Sequence, residues 1–232
     1  MLLTLQIRDV VPATPRARIV RLDLAGSPFP FTAGQAVLVG NAGGRRRPYS
    51  LAGAPEDATR EGRLELQVGV DASGQPSPHL TLTSGTSVDV EGPLGSFTFP
   101  PAPSERRFVF IAGGTGIAPL RAMLRHALAV PHEEIGLFYS ARTPEEFAYQ
   151  DEFRALADAG RIRLQQTVTR PHDEMSWSGA RGRIDRALLA PLVRAPETLC
   201  FVCGPPTFVS EMSAALGVLG IAESRIRIEK WG

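Results

Sequence analysis

Two textures of apolar and polar positions divide this chain. Up to about residue 100, short apolar runs are separated by clusters of Gly, Pro, Asp and Ser, the pattern of strands joined by turns. Strands are predicted at 3–11, 17–23, 36–40, 49–52, 63–70 and 87–91. In the fifth, Leu64, Leu66 and Val68 alternate with Glu65 and Gln67, the period of a half-buried strand. Six short strands of this kind predict a small antiparallel β-barrel. The turn Gly92-Pro93-Leu94-Gly95 and the proline-rich run Pro100-Pro101-Ala102-Pro103-Ser104 then read as a linker. Beyond it, continuous apolar strands at 108–112, 135–140, 161–169, 199–203 and 225–229 alternate with helical patterns. The helices are predicted at 119–129, at 145–157, at 185–192 and from about Pro206, the last with Phe208, Met212, Ala215 and Leu219 on one face. Such alternation predicts a parallel sheet covered on both sides. The expected organisation is a barrel domain at 1–101 and an α/β domain at 102–232.

Composition permits this reading and narrows the partners. Hydrophobic residues make up 43% and charged residues 21%, enough for packed cores. The net charge of +1 exerts no global pull toward nucleic acid or an anionic membrane. Arg45-Arg46-Arg47 is the one basic run; it reads either as a solvated loop or as an anion site, and its place before a strand favours the second. Without interleaved aromatics or a recognised module, no nucleic-acid partner is expected. No apolar stretch is long enough to cross a bilayer, no signal peptide is read, and the two cysteines suit a reducing compartment, so a cytoplasmic location is expected. Cys200 and Cys203 have redox-motif spacing. On a strand, however, residues three apart face opposite ways, and no further cysteines complete a zinc or iron–sulfur site. No metal is expected.

The run Ala112-Gly113-Gly114-Thr115-Gly116-Ile117-Ala118-Pro119 follows a buried strand and opens a helix. Glycines there let backbone approach a pyrophosphate, and a helix start supplies unpaired N–H groups. The pattern Gly114-x-Gly116-x-x-Pro119 replaces a third glycine by proline, and a tight strand-to-helix connection remains an equal reading. Two other segments should end at the same sheet edge. One is Tyr139-Ser140-Ala141-Arg142; the other is Cys203-Gly204-Pro205-Pro206, whose cysteine could equally be a small buried hydrophobe.

Five motifs then occur in order: Arg47-Pro48-Tyr49-Ser50, Gly74-Gln75-Pro76-Ser77-Pro78-His79-Leu80, Gly92-Pro93-Leu94-Gly95-Ser96-Phe97, the glycine turn, and Cys203-Gly204-Pro205-Pro206. With them the sequence resembles the ferredoxin–NADP reductase family over nearly its whole length. The resemblance implies a six-stranded barrel holding FAD and a second domain holding NAD(P), with no iron–sulfur domain. Arg47 would pair with the flavin pyrophosphate, Tyr49 would lie against the ring with Pro48 beside it, and Ser50 would stand near flavin N5. Val68 and Val70 would also contact FAD. Gly74, Gln75, Pro76 and Ser77 would wrap its pyrophosphate. Gly114, Thr115, Gly116, Pro119, Gly204 and Pro205 would hold the nicotinamide nucleotide, with Thr115 and Cys203 near the nicotinamide. The catalytic set implied is Ser50, Thr115, Cys203 and Glu229. Trp231 would cover the flavin ring or simply pack the terminus.

Ser140 and Arg142 end the second α/β strand without an acid until Glu145, and Arg170 ends the next. A 2′-phosphate favours arginine and a free ribose favours an acid, so the pattern leans to NADPH over NADH. The expected function is a flavin-dependent NAD(P)H reductase passing electrons to a separate ferredoxin-like protein or oxygenase component. The alternatives are an NAD(P)H:flavin reductase acting on free flavin, and an electron-transfer subunit of a larger oxygenase or hydrogenase complex.

Overall fold

The computed structural model describes residues 1–170 and 177–231. The chain forms two compact units: residues 1–101 together with 121–126, and residues 102–120 together with 127–232.

The first unit contains β1 (Leu2–Thr14), β2 (Ala17–Asp23), β3 (Ala36–Asn41), β4 (Arg47–Ser50), α1 (Pro55–Glu61), β5 (Arg63–Gly69) and β6 (Ser87–Leu94). The strands pair antiparallel in the order β4-β3-β6-β1-β2-β5. A bridge between Leu51 and Leu66 then joins the two edges, so the six-stranded sheet closes as a barrel. Closure removes the exposed edges of an open sheet. Its core takes one face of each strand, with Ile7, Leu22, Val37, Leu66, Val68 and Val90 buried together. The alternation in β5 has its expected result for Leu64, Leu66 and Val68, but Glu65 is buried as well, held by arginines.

Helix α1 is not legible from apolar period, because only Ala58 is buried in it. Its signals are local: Pro55 at the first turn, Glu56 and Asp57 beside the positive helix end, and Gly62 closing it at φ 64°.

The second unit contains β7 (Arg107–Gly113), a 3₁₀ turn at Gly114–Gly116, α2 (Ile117–Ala127), β8 (Glu134–Ala141), α3 (Gln150–Asp158), β9 (Arg163–Val168), β10 (Ala180–Arg181), α4 (Arg186–Leu189), β11 (Leu199–Gly204), α5 (Pro206–Val218) and β12 (Ile226–Lys230); residues 121–126 of α2 belong to the first unit. The sheet runs β10-β9-β8-β7-β11-β12, parallel throughout. One face carries Val109, Ile111, Phe138, Val202, Met212 and Leu216. On the other side Phe110 stacks on Phe201 at 5.3 Å, and Tyr139 meets Phe147 and Phe153 edge-on.

Two expected helices change, one strand was not expected, and α5 keeps its expected face. The helix expected at 145–157 is a 3₁₀ turn at Pro144–Glu146 followed by α3, because the Ala148 N–H donates to the buried Tyr139 hydroxyl at 3.2 Å and Tyr149 takes φ 58°. A continuous helix would need that N–H for its own ladder. The helix expected at 185–192 is only the four residues of α4, capped by Asp185. The short strand β10 has no apolar signal at all. In α5 the fully buried residues are Val209, Met212 and Leu216, while Phe208, Ala215 and Leu219 are only partly buried against the same core. The helix is turned so that Phe208 sits over two glycines at the sheet edge.

Candidate functional site

In the first unit, β3 and β4 form a hairpin with Val37 opposite Tyr49 and Ala36 opposite Ser50. Gly40 is required there, since a side chain would collide with the Arg45 carbonyl. The hairpin sorts the three arginines. Arg46 pairs with Glu91 at 2.9 Å and with Asp89 at 3.7 Å. Arg45 and Arg47 are exposed and make no ion pair among the described residues. Pro48 is exposed, Tyr49 half-buried and Ser50 buried.

The Tyr49 hydroxyl lies 2.8 Å from His79 Nε2, and the two rings stack with centroids 5.9 Å apart. Burial raises the Tyr49 phenol above its ordinary value, against the opposing pull of Arg47. The phenol therefore keeps its proton. His79 is shifted the other way, by burial and then by the charges of Arg47 and Arg45, so its ring is held neutral. Its backbone is fixed by a 2.8 Å bond from the Asn41 N–H to the His79 carbonyl, while the Asn41 amide bonds Thr81.

The loop Gly74–Ser77 is organised by Asp71. Its carboxylate accepts from Ser73 N–H at 2.9 Å, Ser73 Oγ at 2.7 Å and Gln75 N–H at 2.9 Å. Those bonds, led by the Ser73 hydroxyl, hold its pKa below the usual range. Gly74 takes φ 79°, a conformation other residues rarely adopt. Gln75 and Ser77 are exposed on this loop, and Pro76 is half-buried. Val68 lies inside the barrel core and Val70 is buried at its end. Sequence reasoning gave no role to Asn41, Asp71 or His79. Of these only His79 carried a signal, as the one histidine inside a quoted motif.

In the second unit, chain order reverses between β7 and β11, which lie side by side. On such a sheet the crevice beyond the strand ends at this reversal is where ligands bind. Parallel register sets Ala112, Cys203 and Glu229 level across β7, β11 and β12, with Ser140 beside Gly113 on β8. Three glycines bring the backbones together. A side chain at Gly116 would overlap the Cys203 carbonyl. One at Gly204 would stand 2.8 Å from the Phe208 ring, and one at Gly113 would stand 3.0 Å from it. Gly114 differs: it takes φ 55° and faces open space. Thr115, Pro205 and Pro206 are exposed, and Pro119 is buried in the first turn of α2.

Cys203 is fully buried, and burial, together with the nearby Glu229 carboxylate, pushes its thiol well above the ordinary value. A thiol shifted in this direction keeps its proton at neutral pH. Its Sγ lies 3.9 Å from Glu229 Oε2, to which the Trp231 indole N–H donates at 2.9 Å. Trp231 is further tied by its backbone N–H to the Gly204 carbonyl at 3.0 Å. Burial raises the Glu229 carboxyl, against the indole bond. Cys200 faces the apolar core, its pKa pushed up to about 12 by burial, and both cysteines are free.

Arg142 and Arg170 are exposed and adjacent, the Arg170 N–H donating to the Arg142 carbonyl at 2.9 Å. Ser140, at the end of the same strand, is buried. No group of three or more metal-ligating side chains is found among the described residues.

Residues 110–214 match the family described as the oxidoreductase NAD-binding domain. Ferredoxin–NADP reductase B of Sorangium cellulosum is 34% identical over 235 residues, spanning 96% of this chain and 94% of that protein. The crystal structure of an Amycolatopsis cytochrome P450 reductase matches with a TM-score of 0.84 at 30% identity, over 99% of this chain and 69% of that one. A ferredoxin NADP+ reductase from Neisseria gonorrhoeae, solved with bound FAD and NADP, shares the fold with a TM-score of 0.80 at 22% identity, over 99% of this chain and 98% of that one.

Proposed function

The chain belongs to the ferredoxin–NADP reductase family of flavin-dependent NAD(P)H oxidoreductases, and from that premise we propose how its own residues hold the two nucleotides and what accepts the electrons. The observation that carries the reading is the pair of unspent cations on the β3–β4 hairpin beside a loop already folded around Asp71. Arg47, without a carboxylate partner among the described residues, suits a phosphate, and a guanidinium fork matches phosphate oxygens. The Gly74–Ser77 loop offers backbone N–H groups and the Ser77 hydroxyl. Tyr49 offers a ring face, and Ser50 a hydroxyl at the strand end. An unpartnered buried nitrogen on His79 also fits a ligand there. When bound, FAD supplies the acceptor for hydride from NAD(P)H and the capacity to release electrons one at a time.

In the second unit, Gly114 leaves open backbone at a helix start for a pyrophosphate. Thr115 adds an exposed hydroxyl, and Cys203 gives an uncharged, polarisable wall beside Glu229. Glu229 holds or gives up a proton where Trp231 is tethered to it. Arg142 and Arg170 form a cationic pair at the ends of β8 and β9 that suits a 2′-phosphate, so NADPH is the preferred donor.

The two cysteines of this sequence are too few to ligate an iron–sulfur cluster, which favours an acceptor outside these residues. The relatives' names point to a ferredoxin or a cytochrome P450 as acceptor. No described helix is long and apolar enough to cross a membrane. The two free cysteines suit a reducing compartment, which favours a cytoplasmic location. A protein that stays yellow through gel filtration holds its flavin as a prosthetic group rather than turning it over as substrate. The deciding experiment mixes the FAD-loaded protein anaerobically with NADPH or NADH and follows flavin absorbance. Bleaching is expected with NADPH faster than NADH; no bleaching with either sinks the reading. Arg142→Ala should weaken NADPH about 10-fold and leave NADH unchanged, the cost of one charge-assisted phosphate contact.

A further inference from the structure

His79 has one ring nitrogen engaged and one that is not. Nε2 lies 2.8 Å from the Tyr49 hydroxyl, while Nδ1 is buried and has no hydrogen-bond partner among the described residues. A neutral ring meets the phenol in one of two ways, Nε2–H donating to the phenol oxygen or the phenol donating to Nε2; in the second, which we adopt, the single ring proton sits on Nδ1. A buried N–H without an acceptor costs free energy, and native structures rarely keep one. The ring cannot readily swing away to water. It stacks on Tyr49, and its backbone is bonded at the carbonyl by Asn41 and followed by the Leu80 N–H donating to Ser77 at 3.1 Å. The fields of Arg45 and Arg47 both fall on this ring.

From this geometry we propose that His79 is a cofactor-positioning residue: it braces Tyr49 through Nε2 and donates from Nδ1 to a phosphate oxygen of FAD. This rests on the FAD reading above. Two exposed guanidinium groups whose charges reach the ring, together with one N–H donor, describe a phosphate site better than a site for a neutral oxygen. The same bracing fixes the ring that Tyr49 would present to the flavin.

The two nitrogens can be separated by substitution. Asn carries an amide nitrogen near the position of Nδ1, Gln carries one near Nε2, and Phe keeps the stack but neither bond. FAD affinity of the purified full chain is measured by flavin-fluorescence quenching, alongside circular dichroism and melting of the FAD-free proteins. The expected result is a loss of about 10-fold for His79→Phe and His79→Gln, the scale of a hydrogen bond to a charged group, with His79→Asn within about 3-fold of wild type. Equal affinity for His79→Phe and wild type overturns the proposal. So does a result in which Asn binds no better than Gln or Phe. If the wild-type chain itself binds no FAD, the functional reading fails instead. A variant that melts early is replaced by Tyr49→Phe, which removes the brace alone; it should lose less affinity than His79→Phe, and a larger loss overturns the proposal.

Discussion

The first unit assembles its candidate site from side chains, whereas the second assembles its own from the absence of side chains. Arg47 and Tyr49 on the β3–β4 hairpin, and His79 from the segment between β5 and β6, project from backbone that the barrel would form without them. At the reversal between β7 and β11, Gly113, Gly116 and Gly204 bring the backbones of the candidate site together, and the same glycines let β7, α5 and β11 pack. Binding and stability are therefore expected to separate in the first unit and to coincide in the second.

The sharpest way to break that comparison is Gly116→Val. Its added carbons meet the Cys203 carbonyl, which cannot move without displacing a central strand. Overpacking of this kind should cost about 3 kcal/mol, read as a lower thermal midpoint, and should remove reduction by NAD(P)H. A variant with unchanged melting and unchanged reduction would falsify the coincidence of site and fold.

Arg47→Ala should do the reverse. FAD affinity is expected to fall about 100-fold, since a bidentate charged contact is lost. Melting of the FAD-free protein should move by no more than about 0.5 kcal/mol, the usual range for an exposed position. A large stability loss would show that Arg47 serves the fold.

The smallest effect is expected away from the site but within the same unit. Although burial opposes it, hydrogen bonding and charge from Arg125, with help from Arg60, lower the Asp57 pKa from 3.8 to about 2. The folded state thus binds the proton less readily than the unfolded one. The resulting stability is fully present above about pH 4 and is lost as pH falls through 2. Asp57→Asn should therefore cost about 2 kcal/mol at pH 7, and the gap to wild type should close between pH 4 and 2 in acid-denaturation curves. Its FAD affinity should stay within about 2-fold; a larger change would merge the two roles that the comparison keeps apart.

The strands were legible because burial imposes a period. Each of the six barrel strands and all the long strands of the parallel sheet lie within a few residues of where apolar spacing puts them. The elements that spacing missed bury little or spend their backbone elsewhere: α1 with only Ala58 buried, β10 with two residues, and the Pro144–Tyr149 stretch that gives an N–H to Tyr139. The motif residues were legible as types. Their sorting was not. Nothing in Arg45-Arg46-Arg47 says that the middle one is spent on Asp89 and Glu91, or that His79 rather than another group meets the Tyr49 hydroxyl.

By itself the sequence determined two domains, their classes, and a family kinship, because periodicity, glycine turns and ordered motifs are local properties of the chain. Tertiary structure alone decided which cations are free, which nitrogen of His79 lacks a partner, and that Cys203, Glu229 and Trp231 form one cluster. Those outcomes depend on strand register and burial. Register brings together residues far apart in the chain, and burial shifts the protons they carry.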